Sequence, residues 1–438
     1  MHAPPPLLGR LQSLSLEMDV NEASSLFLVD EVRQWETDCI LGSSQLVHLE
    51  YTSDTLTKRE DEPSLDHLTM LRSFCAINWT RRVPVPLEHL EMMTYREEAM
   101  KTKNSASPPL MNDVIISCQR LETLDLRDGL VSLERLLADE DVSRLRELYL
   151  SGVRVIEWPA ACSWARLTSL TWLKLKIDSQ EPLEALERVA VCRSIKLKSL
   201  LLVVTDNSIS ISNIRLAQCV SLLSRNLERL EIECDDANQL RGLVTAVDPR
   251  HTVQLVRVSF TCGDMAHRDI KDVLYRSARH FPHLAHLEVE GNFQSSLGNS
   301  WPQGGGVWPA LRELVLYNTS YSVATIKQTK RYTAFWMQFA REMAPRLRRL
   351  RIEGFPSLAT PHALCLLSHG TQLQSLELPD ITIAPRDKRY SPLAKERTII
   401  TQPYATLRHL ELSPYISSWW LAQVIRNCKQ HVDLRFSC

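Results

Sequence analysis

The chain of 438 residues has no run of about eighteen apolar residues, so no part of it reads as a membrane-spanning helix. Its first stretch, MHAPPPLLGRLQSLSLEM, lacks a basic leader and a continuous apolar core, and so does not read as a secretory signal. Net charge is close to nil, at −1, which removes the global field that nucleic-acid binding draws on. There is no C-x-x-C pair. The cysteines, eleven in all, are odd in number and scattered, several of them in apolar helical stretches (Cys192, Cys219, Cys365, Cys428). That usage reads as buried free thiols in a reducing compartment, cytoplasmic or nuclear. Two N-x-[ST] triplets, at Asn78 and Asn318, are no more than chance gives at this length.

Catalytic text is missing as well. The glycine-rich stretch from Pro302 to Val307 is followed by no G-K-[ST], so it is no phosphate-binding loop. Neither H-E-x-x-H nor G-x-S-x-G occurs. His280, His283 and His286 are spaced by three, but in the frame set out below only His286 faces the open side of a strand. The expectation is therefore no catalytic residue, no metal, no cofactor and no enzymatic activity.

What the chain does have is one phrase, apolar-x-x-apolar-x-apolar, repeated along its length. LETLDL begins at Leu121, LRELYL at Leu145 and LTWLKL at Leu170, at intervals of 24 and 25 residues. Earlier copies start at 11, 46, 71 and 87, and later ones at 197, 227, 255, 284, 311, 347, 373 and 407, with HVDLRF as a last partial strand. A fixed period in the twenties with this phrase is a leucine-rich repeat. Side chains alternate along a strand, so Leu124 and Leu126 point to one face while Thr123, Asp125 and Arg127 point to the other. One strand cannot bury its own leucines. Stacked copies give a parallel sheet over a continuous leucine core, and the limit on core size no longer applies because each repeat touches only its neighbours.

The text between phrases has helical spacing. PLEALERVAVC (182–192) opens on a proline suited to the first helical position, and HRDIKDVLYRSARHF, TAFWMQFAREM, SWWLAQVIRNC and NEASSLFLVDEVRQW behave alike. The expected fold is an α/β leucine-rich-repeat solenoid, a horseshoe with a concave parallel sheet and convex helices. The chain resembles the ribonuclease-inhibitor-like repeats of F-box/leucine-rich-repeat proteins, whose repeats often open on a helix ending in Cys- or Asn-rich text. ISCQRLETLDL (116–126) and SRNLERLEIEC (224–234) match that style. The asparagine that often follows the third apolar residue is mostly missing, with Asn292 the clear instance and Asp19, Asp178 and Asp235 in equivalent places.

The array is expected to run over residues 1–438 in about fifteen repeats: irregular over 1–112, regular over 113–378, interrupted by a basic insertion over 381–404 and closed by a repeat over 405–438. The charged, then Ser/Pro-rich text from Arg96 to Pro109 reads as an exposed insertion. Residues 321–438 hold 17 Lys and Arg against 8 Asp and Glu, leaving 34 against 44 for residues 1–320. The basic end includes Arg386, Lys388, Arg389, Lys395 and Arg397, a loop suited to an acidic or phosphate-bearing partner or simply solvated.

Function falls to the concave face, where solenoids bind macromolecules. The middle column reads Ser15, Glu50, Cys75, Glu91, Asp125, Tyr149, Lys174, Leu201, Glu231, Ser259, Glu288, Val315, Arg351, Glu377, Glu411. Its acids either face a basic partner or are neutralised by Arg127, Arg229, Arg257 and Arg349 beside them. Trp172 and Tyr317 share the face, and exposed aromatics are frequent hot spots. Asp125, Tyr149, Trp172, Lys174, Glu231, Glu288, Tyr317 and Arg351 are thus the candidate partner-binding residues, with Tyr149, Trp172 and Lys174 as one patch. The resemblance implies the substrate-recognition arm of an F-box (SCF-type) ubiquitin ligase, reaching a cullin-linked adaptor through a segment not visible in this chain. The array opens inside a repeat, and its uncapped apolar edge favours a missing segment or a partner. The alternative is a free-standing or inhibitor-like scaffold with no ligase link. Both expect a protein partner, no nucleic acid and no membrane.

Overall fold

The computed structural model describes residues 10–17, 38–40, 42–52, 65, 67–77, 90–96, 120–137, 140–205, 213–252, 254–264, 267–292, 308–319, 335–355, 358, 360–380, 404–413 and 418–436. The helix-period segment 21–35, all of the expected insertion 96–109 but Arg96, the glycine-rich loop 302–307 and the basic residues Arg386, Lys388, Arg389, Lys395 and Arg397 lie outside them. The chain divides into two compact units, Met1–Leu201 and Leu202–Cys438.

Unit 1 contains β1 (Ser13–Glu17), β2 (His48–Thr52), β3 (Ser73–Ile77), β4 (Met92–Arg96), β5 (Thr123–Arg127), β6 (Leu130–Ser132), β7 (Glu147–Ser151), β8 (Arg154–Glu157) and β9 (Trp172–Ile177). Its helices are α1 (Leu133–Leu137), α2 (Ala161–Ala165) and α3 (Gln180–Val191). Strands β1, β2, β3, β4, β5, β7 and β9 lie side by side in chain order, all parallel. The phrase explains each of them. Residues one, four and six are buried, as in Leu121, Leu124 and Leu126, then Leu145, Leu148 and Leu150, then Leu170, Leu173 and Leu175. Burying one such leucine contributes about 1.5–3 kcal/mol, which no lone strand could collect. In β7 and β9 the residues between them stay partly exposed on the opposite face, which is helix-free among the described residues.

The turns that enter the strands stack as well. The Glu122 carbonyl accepts from the amides of both Arg146 and Glu147, that of Arg146 from Thr171 and Trp172, and that of Thr171 from Lys198 and Ser199. One carbonyl per repeat thus carries the register into the next repeat, and the backbone groups of the turn are satisfied without side chains.

Beyond β5 and β7 the chain makes a corner. Asp128 and Gly152 both adopt positive φ, at 54° and 71°, and the Asp128 amide donates to the Ser151 carbonyl. A Cβ on Gly152 would lie 2.1 Å from Asp128 Oδ1, so the corner needs glycine there. Past it, β6 and β8 pair with each other in a separate two-stranded parallel sheet, which the phrase does not announce.

The division between units falls within β10 (Ser199–Val204). Unit 2 continues with β11 (Arg229–Asp236), β12 (Arg257–Asp264), β13 (His286–Asn292), β14 (Glu313–Asn318), β15 (Arg349–Glu353), β16 (Ser375–Leu378), β17 (His409–Leu412) and β18 (Asp433–Phe436). Each pairs in parallel with the next, and β18 is the expected last strand. Helices α4 (Asn213–Leu223), α5 (Ala237–Ala246), α6 (His267–His280), α7 (Thr360–His369) and α8 (Ser418–Asn427), with helical residues 335–342, fill the returns. At the strand ends of this unit, Asn318 Nδ2 donates to the Gly354 carbonyl at 2.6 Å, and the Gly354 amide to Asp380 Oδ2 at 2.7 Å.

Two expectations change. The fourth phrase starts at Leu90 rather than Leu87: β4 places Met92 beside Ser73 and Thr94 beside Cys75. Leu90, Met93 and Tyr95 are the buried residues, so Thr94, not Glu91, holds the middle column. Met92 and Met93 are equally apolar, so the text fits either frame. A three-residue slip exchanges the faces, and the frame that prevails buries the tyrosine. Pro182 is not the first helical residue, since α3 begins at Gln180. It still sits in the first turn, where no earlier carbonyl awaits its amide.

Candidate recognition surface

On the helix-free face of unit 1 the candidate residues lie on three adjoining strands, β5, β7 and β9. Strand pairing sets Thr123, Glu147 and Trp172 in one row and Asp125, Tyr149 and Lys174 in the next. The Tyr149 and Trp172 rings, one strand and one row apart, meet edge to face with centroids 4.1 Å apart. Such a pair is worth about 0.5–1.5 kcal/mol beyond its burial and fixes both rings. The Tyr149 hydroxyl donates to Glu147 Oε2 at 3.1 Å, and Thr123 Oγ1 donates to the same oxygen at 3.3 Å. Tyr149, Trp172 and Lys174 are all partly exposed.

The charges of this face differ in how they are met. Asp125 is 8% exposed and accepts from Arg127, its neighbour two residues on, at 2.6 and 3.0 Å. That hydrogen bond is the main reason the Arg127 guanidinium is held above its ordinary value, burial acting against it. Lys174 has no ion pair among the described residues. Cys75 lies in the same row, two strands from Asp125. Burial first and the Glu50 carboxylate second push its thiol above the ordinary value, the reverse of what a nucleophile needs.

Unit 2 gathers the other expected residues, Glu231, Glu288, Tyr317 and Arg351, on its own helix-free face. Here almost every acid meets a base. Arg229 bonds Glu231 on its own strand, and Arg257 lies 3.6 Å from Glu288. Arg351 reaches Glu353 at 2.7 Å and Glu377 at 3.2 Å, with its guanidinium 5.3 Å from the Tyr317 ring centroid. Burial alone would raise the Glu377 carboxyl, but hydrogen bonds from Arg349 and Ser375 and the Arg351 charge outweigh it and hold the group below the carboxylate range. The His286 imidazole, ahead of Arg257, does the same for Glu288. This is the neutralised reading of the acidic column.

His280 and His286 diverge. His280 Nδ1 lies 2.7 Å from the Val247 carbonyl and His286 Nδ1 lies 2.9 Å from Glu313. Among the described residues no group of three His, Cys, Asp or Glu could hold a metal ion. The Asn318–Gly354–Asp380 chain of hydrogen bonds escaped the sequence reading because it stands one place nearer the strand than Asn292 does in its own repeat.

The chain matches no protein-family profile. It matches no curated protein. A solved structure that it matches is a plant peptide hormone receptor, RGFR1 in complex with RGF2, at 11% identity over 86% of this chain and 56% of the receptor chain, with a TM-score of 0.27. The match thus spans little more than half of the receptor's length. At that TM-score the likeness decides nothing about shape or ligand. The repeated phrase, the buried leucines and the chain-order parallel pairing make each unit a leucine-rich-repeat-like α/β solenoid.

Proposed function

We propose that the protein is a non-enzymatic recognition scaffold that uses the helix-free face of unit 1 to hold an acidic segment of a partner protein. One observation carries this: the fixed Tyr149–Trp172 ring pair stands in adjoining strands beside Lys174, a cation with no ion pair among the described residues. A rigid aromatic step beside an unspent charge is the composition of a binding hot spot. Among the described residues of unit 2, Glu231, Glu353 and Glu377 spend their charge on arginines of the same unit, so a basic partner has little to gain from them. In this reading the protein works inside the cell. The finer reading, the substrate arm of an F-box-type ubiquitin ligase, rests on the style of the repeats alone.

The test is capture of partners from cell extract by the wild-type chain and by the double variant Trp172→Ala, Lys174→Glu. Capture of the specific partner is expected to fall about thirtyfold or more, the weight of a hot-spot residue. Both side chains are partly exposed, so thermal unfolding should move by no more than about 2 °C. Undiminished capture refutes the surface. A cullin and its adaptor among the captured proteins would support the finer reading, and their absence would leave the scaffold without it.

A further inference from the structure

The two-stranded sheet of unit 1 has an open edge. Among the described residues β8 pairs with β6 and with no other strand. Its free side gives onto a groove of about 600 Å³, bounded beyond by the end of β9 and the first turn of α3. This volume lies within the range of about 300–1,000 Å³ usual for ligand sites. The Arg154 amide donates to the Gly129 carbonyl on the β6 side at 2.7 Å. Backbone groups alternate along a parallel strand, so the amide and carbonyl of Val155 point the other way, into the groove. Among the described residues no backbone hydrogen bond joins 153–157 to 178–182.

The strand is only four residues long, has a charged residue at each end and pairs with β6 through a register shift between Val131 and Ser132, so its edge is blunted in part but not covered by any described strand. It reads Arg-Val-Ile-Glu, without proline, glycine or lysine, and Ile156 is 46% exposed. Val153, Val155, Ile156, Trp158 and Pro182 give the groove an apolar wall. Its charges are met with one exception. Lys176 lies 3.4 Å from Asp178, and Glu181 is held by its own backbone amide and the Ser179 hydroxyl. Glu181 therefore already occupies the start of α3, which leaves no demand there for a free anion. Arg154 is exposed and has no ion pair among the described residues.

We propose that this groove takes an extended peptide segment of a partner protein as a third strand beside β8, about four residues long, with an acidic side chain against Arg154. An open backbone edge asks for a strand, the wall asks for apolar side chains on one side of it, and the single unmatched charge sets the sign of its polar residue. The site is separate from the Tyr149–Trp172 surface and does not depend on it.

The probe is the peptide acetyl-Thr-Val-Asp-Val-Thr-Val-Thr-amide, with a version carrying Lys for Asp, each titrated onto the full chain by fluorescence anisotropy up to about millimolar concentration. The Asp peptide is expected to bind at least about tenfold tighter than the Lys peptide. Val155→Pro removes an amide that β6 does not use and should weaken the Asp peptide at least about tenfold with unfolding unchanged. Arg154→Glu lies at the exposed edge and should reverse the preference to the Lys peptide, a readout that stands even where the proline variant fails to fold. No binding of the Asp peptide, equal binding of both peptides, or an unreversed preference in Arg154→Glu overturns the proposal. The first of these is also what a segment of the same chain lying in the groove would give. Partner capture at the Tyr149–Trp172 surface is expected to be the same in Arg154→Glu, so either site can fail without the other.

Discussion

At the residue scale, two buried ionisable groups show how this interior handles charge. Glu377 is 4% exposed, yet stays ionised because Arg349, Arg351 and Ser375 all donate to it. His362, fully buried in α7, has the opposite fate: burial pushes its imidazole down from 6.5 to about 4. Between those values the unfolded chain holds more protons than the folded one, so stability must rise with pH through that window. The penalty is absent above about pH 6.5 and grows as pH falls towards 4. Glu288 and Glu377 are held below the carboxylate range, so their contribution is lost only below about 4.5. Urea unfolding between pH 6.5 and 4.5 should therefore show a loss of up to about 1.4 kcal/mol per pH unit that His362→Leu removes. An identical slope in the variant would mean that the imidazole is protonated while buried.

At the scale of the element, the informative strand is β4, whose sequence accepts two frames. Pairing with β3 turns Met93 inward at 1% exposure and leaves Met92 at 45%. Met93→Ala should cost about 2–5 kcal/mol as a core truncation, and Met92→Ala within about 0.5 kcal/mol of nothing, both read from urea midpoints. The reverse order would restore the frame that begins at Leu87. Regular strands were legible because their phrases have one apolar pattern only: in LETLDL, LRELYL and LTWLKL a charged or polar residue stands at most open positions and forbids a slip. The methionine doublet of β4 offers no such mark. Nor did the phrase announce β6 and β8. They follow from the positive-φ corner at Asp128 and Gly152, a geometry that only the glycine hints at.

At the scale of the molecule, within each unit a repeat rests on its neighbours through the shared carbonyl of the entry turn and the stacked leucines, so any row of that unit's helix-free face can be read from the sequence once the frame is known. That is why Tyr149, Trp172 and Lys174 could be placed together by counting alone. Counting could not show which charges are paired, because a base two residues on bonds its acid or not according to geometry: Arg127 does so with Asp125, while Lys174 has no ion pair among the described residues. The most direct test sets a photoreactive phenylalanine analogue at 149 or 172 on the helix-free face, and at Val191 or Ile214, each 66% exposed on a helix, as comparison. The account predicts that the captured partner is cross-linked from 149 and 172 and not from the helix positions. Cross-linking from Val191 or Ile214 with none from 149 and 172 would place recognition on the helices and contradict it.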